Sequence, residues 1–314
     1  MTMIDILKKV NNMKPKYLNL YLFSKAKSKM EYEVFSTKST DLEMLSDLKT
    51  VIHNQIHDYI VNEETENPID YNPLINDKNI VQKIECSELH KLSEFVEDIE
   101  RDPILYTKTT LAKSHSLWII AIVMDDGENK IISFQKIRNK TFLENKKMNL
   151  ILDENLEKFD KPLLPLESKI DCICSLNDDN PIMYIFHNYY FEQIFGFEEK
   201  FRNEIKEKLE KFENRTDKSV KLDVKKLFSK IENNQRSLKK LYMILNNDNY
   251  NYLTEENIRK IEEKSENIKF NRSNGELHLD EFEDVKKILN LLNDDYLEGI
   301  LSQKPFKTSN KIDL

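Results

Sequence analysis

Apolar and polar residues alternate with two different periodicities along the chain, and the periodicity changes near residue 188. Before that point, short apolar or alternating runs bounded by turn residues predict β-strands. The clearest case is SLWIIAIVMDDGENKIISFQKIR at 116–138, where two apolar runs flank a DDGEN turn signal and predict a hairpin. Further strand-like runs lie at 16–23, 30–37, 80–84, 149–152, 168–175 and 181–187.

Apolar residues at helical spacing predict the remaining elements. A stripe over 42–59, with Ser39 or Thr40 as its cap, predicts one long helix, and a second helix is expected at about 87–100. Beyond residue 188 the predicted helices lie at about 189–213, 220–231, 234–246, 254–264 and 280–293, with a small hairpin around Asn274-Gly275. We therefore predict an α+β fold: an antiparallel β-sheet region in the N-terminal half, packed with helices, followed by a mostly α-helical C-terminal half.

The same change in periodicity predicts the domain organisation. We expect an α+β domain over residues 1–188 and a mainly helical region over 189–314, packed on the first as one compact unit.

Glycine is scarce, with 4 residues in 314, which favours long helices over glycine-dependent phosphate loops. The sequence contains no GxGxxG and no GxxxxGK[ST] motif, so it gives no support to nucleotide binding by those loops.

An aromatic run spans the predicted boundary between the two halves. Eight of the eighteen residues in 184–201 are aromatic, whereas one is basic and three are glutamates. Because stacking platforms for bases interleave rings with cations, this run does not suit nucleic acid. We expect core positions for Phe186, Phe191 and Phe195, and a surface or subunit interface for Tyr189 and Tyr190.

Charge is unevenly distributed along a chain whose formal net charge is -8. Residues 41–102 include 16 acidic and 5 basic residues, whereas 201–240 include 13 basic and 7 acidic residues. One face can therefore repel anions while another attracts them. Helical pairs such as Glu204–Lys208 neutralise part of the basic segment, and a set of solvated helix faces is the simpler interpretation of these runs.

Candidate catalytic and metal-binding residues are few, and we predict no catalytic residue, no metal site and no cofactor. His53 and His57 stand four apart on a predicted helix, without further ligands and without an HExxH pattern. Asp171 precedes an apolar strand, but no strand carrying Glu-x-Lys follows, so a strand-end or capping carboxylate is preferred over a nuclease centre. Buried free thiols are expected for Cys86, Cys172 and Cys174.

Basic residues are the candidates for non-covalent chemistry. Most are lysines, which suit attraction of a phosphate backbone better than bidentate reading of guanine. If they bind DNA, affinity should be sensitive to salt and largely indifferent to sequence. The candidate nucleic-acid-binding residues are Lys136, Arg138, Lys140, Lys146, Lys147, Lys225, Lys226, Arg236, Lys239, Lys240, Lys304 and Lys307.

The segment SKIDCICSLNDDNPIMYIFHNYYFEQIFGFEEKFRNEI at 168–205 resembles a known family. An apolar strand that begins near an Asp is followed by a short polar turn, a second strand and a Phe-Glu pair leading into IFGFEEKF. With LLPLES before it and FKTSNK near the C-terminus, this arrangement is similar to the B component of the Kiwa anti-phage defence system, the KwaB-like family. The specific part of the resemblance covers about 150–205.

The resemblance implies a bacterial, cytoplasmic defence protein that binds phage DNA, largely through the phosphate backbone, and blocks phage replication or transcription. It also implies a membrane protein partner, the Kiwa A component, which would hold the chain at the inner membrane, and a homodimer or higher homo-oligomer. The absence of a signal peptide and of a long apolar window agrees with a cytoplasmic location. Two alternatives stay open: an acidic interaction module without direct DNA binding, and a divalent-metal-dependent nuclease.

Overall fold

The computed structural model of the protein describes residues 2–14, 18–26, 32–37, 42–61, 68–75, 77, 80–101, 104–105, 115–137, 148–152, 156–158, 164–166, 170–215, 217–265, 268–298 and 305–307. Contacts between residues divide the chain into two units. The first comprises residues 1–72 and 77–195, and the second comprises residues 73–76 and 196–314.

A nine-stranded sheet is the framework of the first unit. Its order is β3-β4-β12-β11-β7-β6-β1-β2-β5, and β8, β9 and β10 form a separate three-stranded sheet. The strands are β1 (Leu18–Ala26), β2 (Tyr32–Thr37), β3 (Ile69–Asp70), β4 (Gln82–Glu85), β5 (Ile104–Leu105), β6 (His115–Asp125), β7 (Lys130–Lys136), β8 (Met148–Leu152), β9 (Leu156–Lys158), β10 (Leu164–Leu166), β11 (Cys172–Ser175) and β12 (Ile182–Ile185). Neighbours in the large sheet pair antiparallel, as predicted, except at its two edges, where β3–β4 and β2–β5 are parallel.

The helices of the first unit cover both faces of the large sheet. They are α1 (Met3–Asn12), α2 (Leu42–Val61), α3 (His90–Glu100) and α4 (Asn188–Phe195). On one face, Ile6 of α1 and Ile52 of α2 join a buried cluster that includes alternate residues of β6. On the other face, the rings of Phe95, Phe134 and Phe195 lie 5.4 to 5.9 Å apart, which connects α3, β7 and α4. Burial on both faces explains why the central strands are almost continuously apolar.

The predicted β6–β7 hairpin is confirmed, and its turn shows why the sequence signal was strong. Gly127 has a φ of 90°, a conformation that side chains disfavour. Asp125 Oδ1 accepts a hydrogen bond from the Gly127 amide at 2.9 Å, and Asp126 Oδ1 accepts one from the Asn129 amide at 2.7 Å. The aspartates therefore satisfy backbone groups that the turn leaves without a strand partner.

The second unit is mostly helical, as predicted. Its elements are α5 (Phe197–Glu213), α6 (Val224–Ile231), α7 (Gln235–Asn246), α8 (Glu255–Lys264), β13 (Arg272–Ser273), β14 (Glu276–Leu277), α9 (Phe282–Leu292), β15 (Tyr296–Glu298) and β16 (Pro305–Lys307). The hairpin at Asn274-Gly275 is confirmed, with positive φ at both residues. The single helix predicted over 189–213 is wrong, because Gly196 adopts a φ of 69° and separates α4 from α5.

The aromatic run follows the predicted division between core and surface. Phe186, Phe191 and Phe195 are buried, and Tyr189 is 48% exposed. After the break at Gly196, the run continues into α5, where Phe201 lies 4.6 Å from the ring of Tyr242. The rings therefore serve packing within each unit, and no base-stacking surface is built from the buried members.

Candidate nucleic-acid interface

Helices α6 and α7 form a basic pair within the second unit. Asp223 caps α6 by accepting a hydrogen bond from the Lys226 amide at 2.8 Å, and Asn234 caps α7 by accepting one from the Ser237 amide at 3.0 Å. The residues that belong to these two helices include six cations and no carboxylate. These cations are Lys225, Lys226, Lys230, Arg236, Lys239 and Lys240.

The α6 lysines face solvent. Lys225 lies 3.6 Å from Glu213 Oε1, with the lysine side chain 76% exposed, so this ion pair is solvent-screened and contributes little to stability. Lys226 and Lys230 are also exposed. Lys230 Nζ donates to the backbone oxygen of Asp280 at 3.2 Å, which places the end of α6 next to the segment that leads into α9.

A cleft of about 510 Å³ opens between the first turns of α7 and one face of α9. Three cations line it: Arg236 and Lys240 from α7, and Lys286 from α9. None of the described lining residues is acidic. The remaining lining residues are Asn234, Ser237, Phe282, Leu289 and Asn290. The cleft also lies at the amino end of α7, where the helix dipole adds positive potential.

Lys240 differs from the other cations of α6 and α7 because it is only 6% exposed. Its ammonium donates to Asn290 Oδ1 at 2.8 Å and to Asp295 Oδ2 at 2.5 Å. Asn293 donates to the other carboxylate oxygen of Asp295 at 2.6 Å. Lys240 therefore belongs to a hydrogen-bonded network beneath the cleft, and it does not form part of an exposed basic face.

The other predicted binding residues fall elsewhere. Lys136 belongs to β7 of the first unit, where its Nζ donates to the Trp118 carbonyl at 3.2 Å and lies 5.2 Å from the centroid of that ring. Lys307 closes β16, whose backbone alone is described. Predicted residues that lie outside the described part of the chain are Arg138, Lys140, Lys146, Lys147 and Lys304.

Asp171 occupies the strand-end position that the sequence favoured. It is fully buried, and its Oδ2 accepts a hydrogen bond from the Lys136 amide at 2.6 Å. Its Oδ1 lies 3.2 Å from Nδ1 of His187. The carboxylate therefore joins the ends of β7 and β12. Within the described ranges, no group of three or more His, Cys, Asp or Glu side chains is arranged to hold a metal ion.

The remaining sequence candidates are two histidines and three cysteines. The rings of His53 and His57 stack on α2 with centroids 6.0 Å apart. The predicted buried free thiols are confirmed at Cys86, Cys172 and Cys174. Burial raises the pKa of the Cys172 and Cys174 thiols, which disfavours the reactive thiolate.

Lys286 is the cleft residue that sequence reasoning missed. It stands in α9 among Glu283, Asp284 and Lys287, so the local charge pattern is balanced and predicts no binding surface. Its significance comes from the packing of α9 against α7, which brings residues about fifty positions apart to one cleft. No spacing rule within one helix could reveal that arrangement.

The fold and this site define an α+β protein with a concentrated basic region in an otherwise acidic chain. A family model described as Kiwa protein KwaB-like matches residues 114–302, which is more than half of the chain. The chain therefore belongs to the KwaB-like family of Kiwa proteins, which confirms the resemblance and supports a role in anti-phage defence.

Two other comparisons returned nothing: no curated protein and no solved structure matched the chain. Among the described helices, none has the length and apolar character needed to span a bilayer.

Proposed function

We propose that this chain is an anti-phage defence protein that binds phage DNA through the phosphate backbone. The observation that carries the proposal is the pair α6–α7, in which five cations besides the buried Lys240 occur without a carboxylate. Family membership supplies the biological setting. Exposed lysines attract phosphates without selecting bases, so the expected binding is sensitive to salt and tolerant of sequence.

The proposed mechanism is occupancy of the DNA. A protein that neutralises successive phosphates releases counterions and gains affinity for any exposed stretch of duplex. Bound at high density, it blocks the passage of replication or transcription machinery and leaves the strands intact. The structural role of Asp171 agrees with a mechanism that does not cleave DNA, because its carboxylate is fully buried and bonded to backbone.

The Kiwa setting adds a partner and a location to the proposal. We expect the chain to act in the cytoplasm with the membrane component of the system, which would hold it at the inner membrane. We also expect a homodimer or higher homo-oligomer, since several copies along one DNA molecule multiply weak phosphate contacts into strong binding.

The acidic interaction module is a second candidate for one part of the protein. Glu94, Glu97 and Glu100 are exposed on α3, at a spacing that places them along one side of that helix. This surface suits a basic partner better than DNA. Charge reversal at Glu94 and Glu97 should reduce co-purification with the Kiwa membrane component and leave DNA retention unchanged. Unchanged co-purification would remove this surface from consideration.

Gel retardation of long duplex DNA tests the main proposal. Purified full-length protein, with and without the membrane component, should retard unrelated duplex sequences equally at low salt and lose affinity as salt rises. DNA recovered after incubation with Mg²⁺ or Mn²⁺ should be intact. Failure to retard long duplex even at low salt, with or without the partner, would contradict the proposal. Cleavage by the native protein that disappears in a correctly folded Asp171→Ala variant would instead establish the nuclease alternative.

A further inference from the structure

We propose that the cleft between α7 and α9 is a binding site for a nucleoside 5′-phosphate. This inference goes beyond backbone binding of duplex DNA, because it concerns a single nucleotide held inside a concave site. The same chemistry is offered by a free nucleotide and by the 5′-phosphorylated end of a DNA strand. The site can function whether or not the exposed α6 lysines bind duplex.

The size and shape of the cleft indicate a small ligand. Its volume of about 510 Å³ lies within the usual range for small-molecule sites, roughly 300–1,000 Å³. Concavity distinguishes it from the exposed lysines of α6, which suit the outer surface of a duplex. The sequence gives no glycine-dependent phosphate loop, so a phosphate held here would be bound by side chains and the first turn of α7.

The positive charge of the side chains that line the cleft favours an anionic ligand. Arg236 and Lys286 approach from different helices, and no described carboxylate lines the cleft. Lys286 pairs with Glu283 at 3.1 Å, but both side chains are about half exposed or more, at 47% and 63%. A surface pair of this kind contributes little, so Lys286 can turn towards a phosphate at small cost.

The buried network under the cleft strengthens this selection. Lys240 lines the cleft, whereas its partner Asp295 is fully buried and is not among the lining residues. The ion pair therefore presents its positive end to the cleft and its negative end to the protein interior. A buried ion pair is weak evidence for stability, since apolar residues of similar volume pack as well. In this protein the ion pair is oriented with the ammonium group of Lys240 towards the cleft, where it attracts an anion.

The apolar side chains account for the nucleoside part of the ligand. Phe282 and Leu289 of α9 line the same cleft as the three cations. Lys286 Nζ lies 5.2 Å from the centroid of the Phe282 ring, so the cation and the aromatic surface are adjacent. A phosphate attached to a planar base can therefore contact both kinds of side chain at once. Inorganic phosphate can use only the cations.

Calorimetric titration of the full-length protein with dAMP tests the inference. We expect saturable binding of dAMP, with weaker binding of inorganic phosphate and of deoxyadenosine, because each of these lacks half of the ligand. The double variant Arg236→Gln/Lys286→Gln should weaken dAMP binding by at least about tenfold, as expected for loss of charge-assisted hydrogen bonds. Phe282→Leu should weaken dAMP binding and leave inorganic phosphate unchanged.

The matched control removes one arginine and one lysine from α8. Arg259→Gln/Lys260→Gln makes the same change in net charge at exposed positions outside the cleft, and it should leave dAMP binding unchanged. Circular dichroism of every variant verifies the fold. The inference is overturned if dAMP does not bind saturably, if both double variants weaken it equally, or if inorganic phosphate binds as tightly as dAMP.

Two further probes separate the sources of the nucleotide and the two proposals. Single-stranded oligonucleotides with a 5′-phosphate or a 5′-hydroxyl show whether the cleft also accepts a strand end, and preference for the 5′-phosphate supports that source. Duplex retardation without dAMP binding would overturn this inference and leave the proposed function standing. Binding of dAMP without duplex retardation would support this inference and contradict the proposed function.

Discussion

Helix α5 and the pair α6–α7 contain similar numbers of cations but differ in how those charges are compensated. The sequence of α5 has five basic and six acidic residues, whereas α6–α7 has six basic residues and no acidic one. On α5 the charges form pairs one turn apart: Lys200 and Lys208 each lie 3.9 Å from Glu204, and Arg202 lies 2.8 Å from Glu198.

This comparison indicates that the electrostatic field around a helix depends more on whether its lysines pair with carboxylates than on how many lysines it contains. On α5 three of the five cations pair with a glutamate of the same helix, and its acidic residues outnumber its basic ones, so little positive potential extends beyond the screening distance of about 8–10 Å. Helices α6 and α7 contain no carboxylate, so their cations are not neutralised within their own helices, although Lys225 pairs with Glu213 and Lys240 pairs with Asp295. We therefore assign packing to α5 and anion binding to α6–α7.

The largest expected effect tests the packing role of α5. Phe201 is buried on this helix against Tyr242, so Phe201→Ala should lower the free energy of unfolding by about 3–5 kcal/mol. The exposed Lys211→Gln change on the same helix should alter it by less than about 0.5 kcal/mol. Chemical denaturation measures both values. Equal changes in the free energy of unfolding for the two variants would contradict the distinction between the buried and the exposed side of α5.

A smaller effect tests whether the helix cap organises the basic pair. Asn234→Ala removes the acceptor for the Ser237 amide and should cost about 1 kcal/mol of stability. Asn234→Asp retains the acceptor, so thermal unfolding should be nearly unchanged. It also adds a negative charge beside Arg236, so DNA affinity should fall. If Asn234→Asp bound DNA as tightly as the native chain, the amino end of α7 would lie outside the interface.

The smallest expected effect comes from releasing individual lysines. Glu213→Gln frees Lys225 of α6 from its ion pair and should raise DNA affinity by about two- to threefold. Glu204→Gln makes the same charge change on α5 and should raise affinity by less than about twofold. Fluorescence anisotropy with labelled duplex resolves the difference. A larger gain from Glu204→Gln would reverse the assignment of the two regions.

Local signals in the sequence predicted much of the fold. The DDGEN turn, the Asn274-Gly275 hairpin and the apolar stripes of α6 to α9 depend on neighbouring residues, and each was confirmed. The break at Gly196 was missed because apolar periodicity continues on both sides of it, and only the backbone angle separates α4 from α5. The parallel edge strands were missed because they have two residues each at β3 and β5, too short to show a pattern.

The candidate site was predicted less completely, for a physical reason. Sequence shows which residues carry charge, but burial decides which charges are available. Lys239 and Lys240 are adjacent in sequence and equivalent by composition, yet Lys240 is buried in an ion pair with a residue 55 positions away. Lys286 enters the cleft only because α9 packs against α7. Contacts at such separations leave no periodic trace in a single sequence.

The proposed interface depends on the cations of α6–α7 holding the phosphate backbone, and the salt dependence of DNA binding measures their contribution. One variant replaces Lys225, Lys226, Lys230 and Arg236 by glutamine. Its matched control on α5 replaces Arg202, Lys206, Lys208 and Lys211, which removes the same number of lysines and arginines from the same unit.

The slope of log affinity against log salt reports the number of neutralised phosphates, at about 0.9 per contact. We predict that the α6–α7 variant loses roughly 3 to 4 from the magnitude of this slope, whereas the α5 control loses less than about 1. Equal losses in the two variants would show that binding depends on net charge alone. A larger loss in the α5 control would contradict the assignment of the interface to α6–α7.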